Sequence, residues 1–325
     1  MSAGLPADNV TERHSLTRRV AVVHAGRPKS LLQGDENEMT ESDVAVLVLA
    51  HRDPHSVARL TQSLTCDWID TFIHIDGAAA ISPFQRACTA VNAEFLPDDE
   101  RKPVNWGGWS QLSAILRLMR YANARRPYRR YVLLSGADLL IKPLPVLREQ
   151  MLTDIEFLRI DRALTSTAPQ IGRYHFRDAP PMLQRLNGRI PRRPPTTDPM
   201  HQGSTWWALT GDAVAHTLRF LDEDPTWLRF HRYTSCPDEI VIHTTLKTSP
   251  FADRISDDRT RTASDDHPDV HGLHHIIWPD DDAYSPRDLT GSDIDALRDS
   301  PACFARKIGQ DSDDVVRAFT AGPIP

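Results

Sequence analysis

The chain of 325 residues lacks most of what would mark it for a membrane, a nucleic acid or a metal. No apolar run reaches the ~18–20 residues that a membrane-spanning helix needs. Positive charge is not in excess, since 38 Lys and Arg face 44 Asp and Glu, for a net charge of −6. Such a chain has no global field to draw it to nucleic acid, so an anionic ligand must be held by a local basic cluster. Cysteine is scarce and scattered. Cys66, Cys88, Cys236 and Cys303 form no CxxC pair, which argues against a structural zinc site and fits a reducing, cytoplasmic compartment. Residues 1–19 are polar and broken by charge, unlike a signal peptide.

What is present is an ordinary globular composition with 25 prolines, which place many loops between regular elements. Residues 1–42 read as a poorly ordered extension. A nearly continuous apolar run at 44–50 predicts a strand buried on both faces, as in a parallel sheet. His51-Arg52-Asp53-Pro54 ends it, helical spacing follows over 57–64, and TFIHIDG (71–77) predicts a second strand. This is a βαβ unit, whose ligands bind at the carboxyl ends of its strands, where His51 and Asp76 fall. VNWGGWSQLSAILRLMRYA (104–122) predicts a helix capped by Ser110. Tyr131–Leu134 predicts a third strand, with Asp138 just beyond it, and 155–160 a fourth.

Residues 165–202 read as a loop that carries Arg173 and a basic, Pro-rich patch at 189–195. GSTWWALT (203–210) follows, then PDEIVIHTTLKTS (237–249), a helix with Pro237 at its first position and Asp238 and Glu239 in its first turn. Residues 291–299 predict a further helix. The whole is an α/β chain, with one domain over 43–310 and a tail at 311–325.

Seven stretches in collinear order, LAHRDP (49–54), IHIDG (73–77), VNWGGWS (104–110), LLSGADLLIKP (133–143), GSTWWALT (203–210), CPDEIVIHTTL (236–246) and FARKI (304–308), resemble the Core-2/I-branching enzyme family. This is glycosyltransferase family 14, which includes the peptide O-xylosyltransferases. The likeness spans 44–308. It implies a GT-A-type single domain with a Rossmann-like nucleotide-binding half and a mixed central sheet. It also implies a UDP-sugar as co-substrate, inversion at the anomeric carbon, and no metal or other cofactor. Basic side chains would neutralise the diphosphate instead, and SGAD has one acid where a DxD motif has two.

The resemblance distributes roles as follows. Glu239 matches the general base that takes the proton of the acceptor hydroxyl, while a helix-start acid is the plainer reading. Lys307 matches the lysine that meets the diphosphate, and Arg287 is the nearest equivalent of a second basic residue, with Arg306 and Arg298 as alternatives. Asp76 matches an acid that contacts uracil, Val48 a residue at the nucleotide edge, and Trp106 an aromatic there. Asp138 stands where GT-A enzymes keep their metal acid and is expected to bind the donor sugar or shape its loop. On the acceptor side, Ser204 takes the place of a small residue and Trp278 that of an aromatic. Trp206 and Trp207 are candidate sugar platforms, one in the cleft and one in the core, because successive strand side chains alternate. Arg173 belongs to a loop expected to line the acceptor cleft.

The expected protein is a cytoplasmic, bacterial-type inverting glycosyltransferase that transfers GlcNAc, or second xylose, to a glycan or small-molecule acceptor. No nucleic-acid partner and no integral membrane segment are expected. Two alternatives have other chemistry. One is a nucleotide-sugar or glycan-binding module without turnover. The other is a metal-dependent hydrolase built on the loop 265–282, whose His267, His271, His274, His275 and Asp280 to Asp282 are residue types that suit zinc or manganese.

Overall fold

The computed structural model describes residues 43–262, 267–280, 283 and 285–320. The expected N-terminal extension and Asp281 and Asp282 lie outside the described residues. Strand β1 (Val44–Ala50) is buried almost throughout, as its apolar run predicts. Val44, Val46 and Val48 join one core cluster and Ala45 and Leu47 another, on opposite faces, because strand side chains alternate. Strands β2 (Ile69–Ile75) and β4 (Arg130–Ser135) flank β1, both parallel to it, and β3 (Ala93–Phe95) continues parallel beyond β2. The order β3-β2-β1-β4 is the Rossmann-like half.

The sheet then becomes mixed. Strand β8 (Ala208–Thr210) runs antiparallel to β4, and β6 (Glu156–Leu164) antiparallel to β8. Beyond them β7 (Met200–Gly203) is antiparallel to β6, and β9 (Ile255–Asp258) pairs in parallel with β6. The register slips between Ile160 and Arg162. Gly203 lies at that slip, where a Cβ would sit 1.8 Å from the Arg159 carbonyl oxygen, so only glycine fits. A small second sheet, ordered β10-β11-β12-β5, joins β5 (Leu139–Leu140), β10 (Val270–His271), β11 (His274–Ile276) and β12 (Phe304–Arg306). This arrangement is the α/β, GT-A-type fold with a mixed central sheet.

Helices α1 (Pro54–Ser63), α2 (Ser82–Ala87) and α4 (Leu144–Leu152) pack on one face of the large sheet. Helices α3 (Trp109–Arg125), α7 (Gly211–Glu223) and α9 (Val241–Lys247) pack on the other, with Trp227 of α8 (Pro225–Phe230). Two short turns, α5 (Pro169–Gly172) and α6 (Pro181–Gln184), interrupt the long loop. The segment expected as a C-terminal tail carries α11 (Asp313–Thr320). Its Val315 and Phe319 are buried with Leu297 of α10 (Ile294–Asp299) against the small sheet.

Two local devices set the edge where the β1 and β2 strands end. Asp53 takes a left-handed φ of 54° and caps α1, its Oδ1 accepting from the Ser56 N–H at 3.1 Å, which turns the chain after His51-Arg52. Helix α3 is capped differently from the expectation. Its N-cap is Gly108, and Ser110 lies inside the first turn. The missing acceptor comes from Asp178 in the long loop, which receives the Ser110 N–H at 3.0 Å and its hydroxyl at 2.5 Å. A Cβ on Gly108 would lie 2.7 Å from that carboxylate, so the glycine clears its approach.

Candidate active site

Glu239 ends a 3-10 turn (Pro237–Glu239) that leads into α9. Cys236 before it adopts a left-handed φ of 49°, and its N–H donates to the Gly107 carbonyl at 2.9 Å. That bond anchors the turn to the Gly-Gly loop of α3. Asp238 is fully buried, with Oδ2 accepting from Gln111 Nε2 and from Thr205 Oγ1, both at 2.8 Å. Glu239 keeps part of its surface open. Its Oε2 accepts from Gln202 Nε2 at 2.8 Å, and Gln202 is itself oriented by Arg162, whose Nη2 donates to Gln202 Oε1 at 2.9 Å. Burial and then the Asp238 charge raise the Glu239 carboxyl above its usual range, against the Gln202 hydrogen bond. Burial also raises Asp238. A carboxyl so enclosed and so raised binds a proton more tightly than a free carboxylate does.

The small sheet builds a second cluster. Asp138 leads into β5, Arg306 ends β12, and His274 starts β11, strands that are hydrogen-bonded neighbours. The Asp138 carboxylate is fully buried. It lies 3.3 Å from Arg306 Nη1 and 3.3 Å from His274 Nε2, and accepts the Ser135 N–H at 2.7 Å and hydroxyl at 2.9 Å. Burial alone would raise its pKa, but Arg306, His274 and Ser135 outweigh it and hold the carboxyl below its usual range. The guanidinium of Arg306 in turn lies over the Trp206 ring, 3.8 Å from its centroid. One residue earlier, Thr205 donates to Asp238. The GSTWW segment therefore touches both clusters through adjacent side chains.

The ends of β1 and β2 supply a third group. Asp76 accepts the Ala78 N–H at 2.8 Å and the Val104 N–H at 3.3 Å, which fixes the loop that carries Trp106, 54% exposed. Arg101 ties this loop down, donating to the carbonyls of Ile75 at 2.9 Å and Ala79 at 2.6 Å. The charges of Asp76, Arg52 and Lys307 all act on His51, whose pKa is lowered by burial and then by Arg52. Lys307 is partly exposed, and its pKa is lowered by burial and then by Arg52. The charges of Lys307 and Arg52 thus act on each other and on His51, at the edge where Asp76 lies.

Several sequence expectations change. Val48 is fully buried on the α1 face, so its side chain offers no surface at the nucleotide edge. Trp207 is also fully buried, which makes it the core member of the pair and removes it from the acceptor-binding set, while Trp206 is partly exposed. Arg287 is engaged by Asp293 in a two-pronged pair at 2.6 and 2.8 Å, so its charge is already met. Arg306 is committed to Asp138. Arg52, whose charge acts on Lys307, was not singled out by the sequence. Ser204 is partly exposed, its carbonyl 2.9 Å from His243 Nε2. Trp278 is exposed just beyond β11. Arg173 is exposed in the long loop, donating to the Gly188 carbonyl at 3.2 Å.

Gln202, Gln111, Arg162 and Arg101 lie outside the recognisable stretches and Thr205 has no role of its own within GSTWWALT, since single polar side chains form no motif. The histidines of the 265–282 loop are used singly: His274 faces Asp138, and His275 Nδ1 lies 3.0 Å from Ser300 Oγ. Among the described residues, no three His, Cys, Asp or Glu form a group that could hold a metal ion.

The family model described as "Branch: Core-2/I-Branching enzyme" matches residues 71–298. The chain belongs to the Core-2/I-branching enzyme family and is a glycosyltransferase. No curated protein matches it. Among solved structures, it is similar to mouse xyloside xylosyltransferase 1 in its apo form. That match has 12% identity and a TM-score of 0.33, covering 63% of this chain and 81% of the other. Another is a putative glucose-1-phosphate thymidylyltransferase from Bacillus anthracis in complex with a sucrose, at 10% identity and a TM-score of 0.28, covering 54% of this chain and 74% of the other.

Proposed function

We propose that the chain is an inverting, metal-independent glycosyltransferase that moves a sugar from a UDP-sugar to an acceptor hydroxyl, with GlcNAc first and xylose second as the sugar. The observation that carries this reading is Glu239, a partly open carboxylate held by Gln202 and made more basic by burial and by Asp238. Glu239 takes the hydroxyl proton as the acceptor oxygen bonds to C1 of the sugar. The C1–O bond to the diphosphate breaks on the opposite face, and UDP departs with the electron pair. Lys307 and Arg52 meet the charge that develops on the diphosphate. Asp76 and Trp106 border the uracil, and the part of Trp206 left open beside Arg306 meets the acceptor sugar.

The reading without a metal is supported by the chemistry of Asp138. Its carboxylate already receives a guanidinium, an imidazole and two Ser135 donors, the charge-balanced state that a divalent ion would otherwise provide. A cytoplasmic setting is supported by four free thiols. No helix among the described residues is long and apolar enough to cross a membrane.

The test is release of UDP and transfer from UDP-GlcNAc and UDP-xylose to a panel of glycans, with and without EDTA. Transfer that persists in EDTA and disappears in Glu239→Gln is expected. Equal transfer by wild type and Glu239→Gln would remove the mechanism, and donor binding without turnover on any acceptor would favour a binding module.

A further inference from the structure

We propose that the excursion 174–190 docks the protein on an anionic lipid surface, an inference that does not depend on the chemistry proposed above. Its neck is clamped. The Tyr174 N–H donates to the Ile190 carbonyl at 2.8 Å and the Gly188 N–H to the Tyr174 carbonyl at 2.9 Å. Arg192, just past the neck, reaches inward to the Ile171 and Phe230 carbonyls at 2.9 and 2.8 Å and to Thr234 Oγ1 at 2.7 Å. The loop is therefore a built protrusion.

Its patterning is inverted. The polar side chains turn inward to satisfy the loop's own backbone. Gln184 Nε2 donates to the Arg177 and Ala179 carbonyls at 3.2 and 2.8 Å, and Asn187 Oδ1 accepts the Phe176 N–H at 2.5 Å. The apolar side chains turn outward, with Met182 78%, Leu183 44%, Leu186 36% and Ile190 39% exposed. Four of the ten large apolar side chains exposed among the described residues thus fall within nine positions of this one loop.

Charge decides the occupant. Arg185, Arg189 and Arg193 are exposed between and beside these apolar residues. Asp178 is the one acid between 173 and 193, and its carboxylate is occupied at the start of α3. A cationic and apolar tip on a chain of net charge −6 fits a surface with phosphate headgroups over an acyl layer. A symmetric second copy would set arginine against arginine. A polyanionic glycan would meet the arginines but leave the apolar tip in water.

The experiment is binding of the full chain to phosphatidylglycerol-containing vesicles against pure phosphatidylcholine vesicles. Two variants are compared with the wild type, Arg185→Glu/Arg189→Glu and Met182→Ser/Leu183→Ser/Leu186→Ser. Because the substituted residues are exposed, both variants are expected to melt as the wild type does. Preference for the anionic vesicles is expected, with affinity lowered roughly tenfold or more by the charge reversals, and lowered also by the serine variant. Equal affinity for both vesicles, no vesicle binding, or binding unchanged in either folded variant would overturn the proposal. A dimer that Leu183→Ser dissolves, in a protein that ignores vesicles, would assign the patch to a second copy instead.

Discussion

The Gln111 side-chain amide donates to Asp238 Oδ2 across 2.8 Å, joining positions 127 apart in the chain. The start of α3 is thereby locked to the turn that presents Glu239, and Asp238 becomes a fixed charge behind the proposed base. Asp238→Asn keeps an oxygen for Gln111 and Thr205 but removes that charge. The Glu239 pKa then falls, and the acidic limb of the kcat profile moves to lower pH. An unmoved limb in a folded Asp238→Asn variant would show that Asp238 does not act on Glu239.

Glu239→Gln is expected to lower transfer by roughly 10²–10⁴-fold while leaving UDP binding in place. Stability should move the other way. The folded-state pKa of Glu239 lies above its unfolded value, so stability declines as pH rises from the unfolded carboxyl range through the raised one. Glutamine removes that charge. The variant should therefore melt above the wild type at neutral and higher pH, with the difference closing in acid. Melting temperature against pH for the two proteins measures this.

For the diphosphate, Lys307→Ala is expected to lower kcat by roughly 10²–10³-fold, the cost of losing one preorganised charge at a developing anion. The Lys307 pKa is depressed, so its positive charge is lost on raising the pH sooner than in a free lysine. Wild-type activity should therefore fall on the alkaline side and follow that loss, and Lys307→Ala should flatten the limb. Arg287→Ala provides the contrast. It breaks the pair with Asp293 and should lower the melting temperature with little change in donor KM. A large KM effect in Arg287→Ala would restore it to the donor site.

The two tryptophans should separate cleanly. Trp207→Ala opens a cavity in the core and is expected to cost about 3–5 kcal/mol in denaturant unfolding. Trp206→Ala removes the surface under Arg306 and is expected to cost less stability but more transfer. Equal stability losses would contradict their different burial.

Much of the architecture was legible because β1, β2, β4 and β6 are apolar runs and the βαβ start has turn residues at both ends. The small sheet was not, since β5, β10, β11 and β12 have only two or three residues each, too few for periodicity to show. Helix α11 carries helix signals of its own, with Asp313 and Asp314 in its first turn and Val315 and Phe319 spaced for one face. At the site, Glu239, Lys307 and Asp138 stood in recognisable stretches. Gln111 and Gln202 did not, because they take their meaning from contacts across the fold, and Arg306 stood in FARKI without any sign that it pairs with Asp138. Asp178 shows the same limit. A carboxylate in an irregular loop caps a helix some seventy positions earlier, and no local rule selects it over Ser110.

The Arg306–Asp138 pair also bears on how this catalyst could evolve. Giving the position of Asp138 a different role takes more than exposing it. Loss of Arg306 alone would strand a buried carboxylate and bare the Trp206 face, and loss of Asp138 alone would strand a buried guanidinium. Each single step leaves the fold with an uncompensated charge. Replacement at either position therefore requires coordinated replacement on β12 and at the start of β5, and an engineered change of this cluster should begin with both positions together.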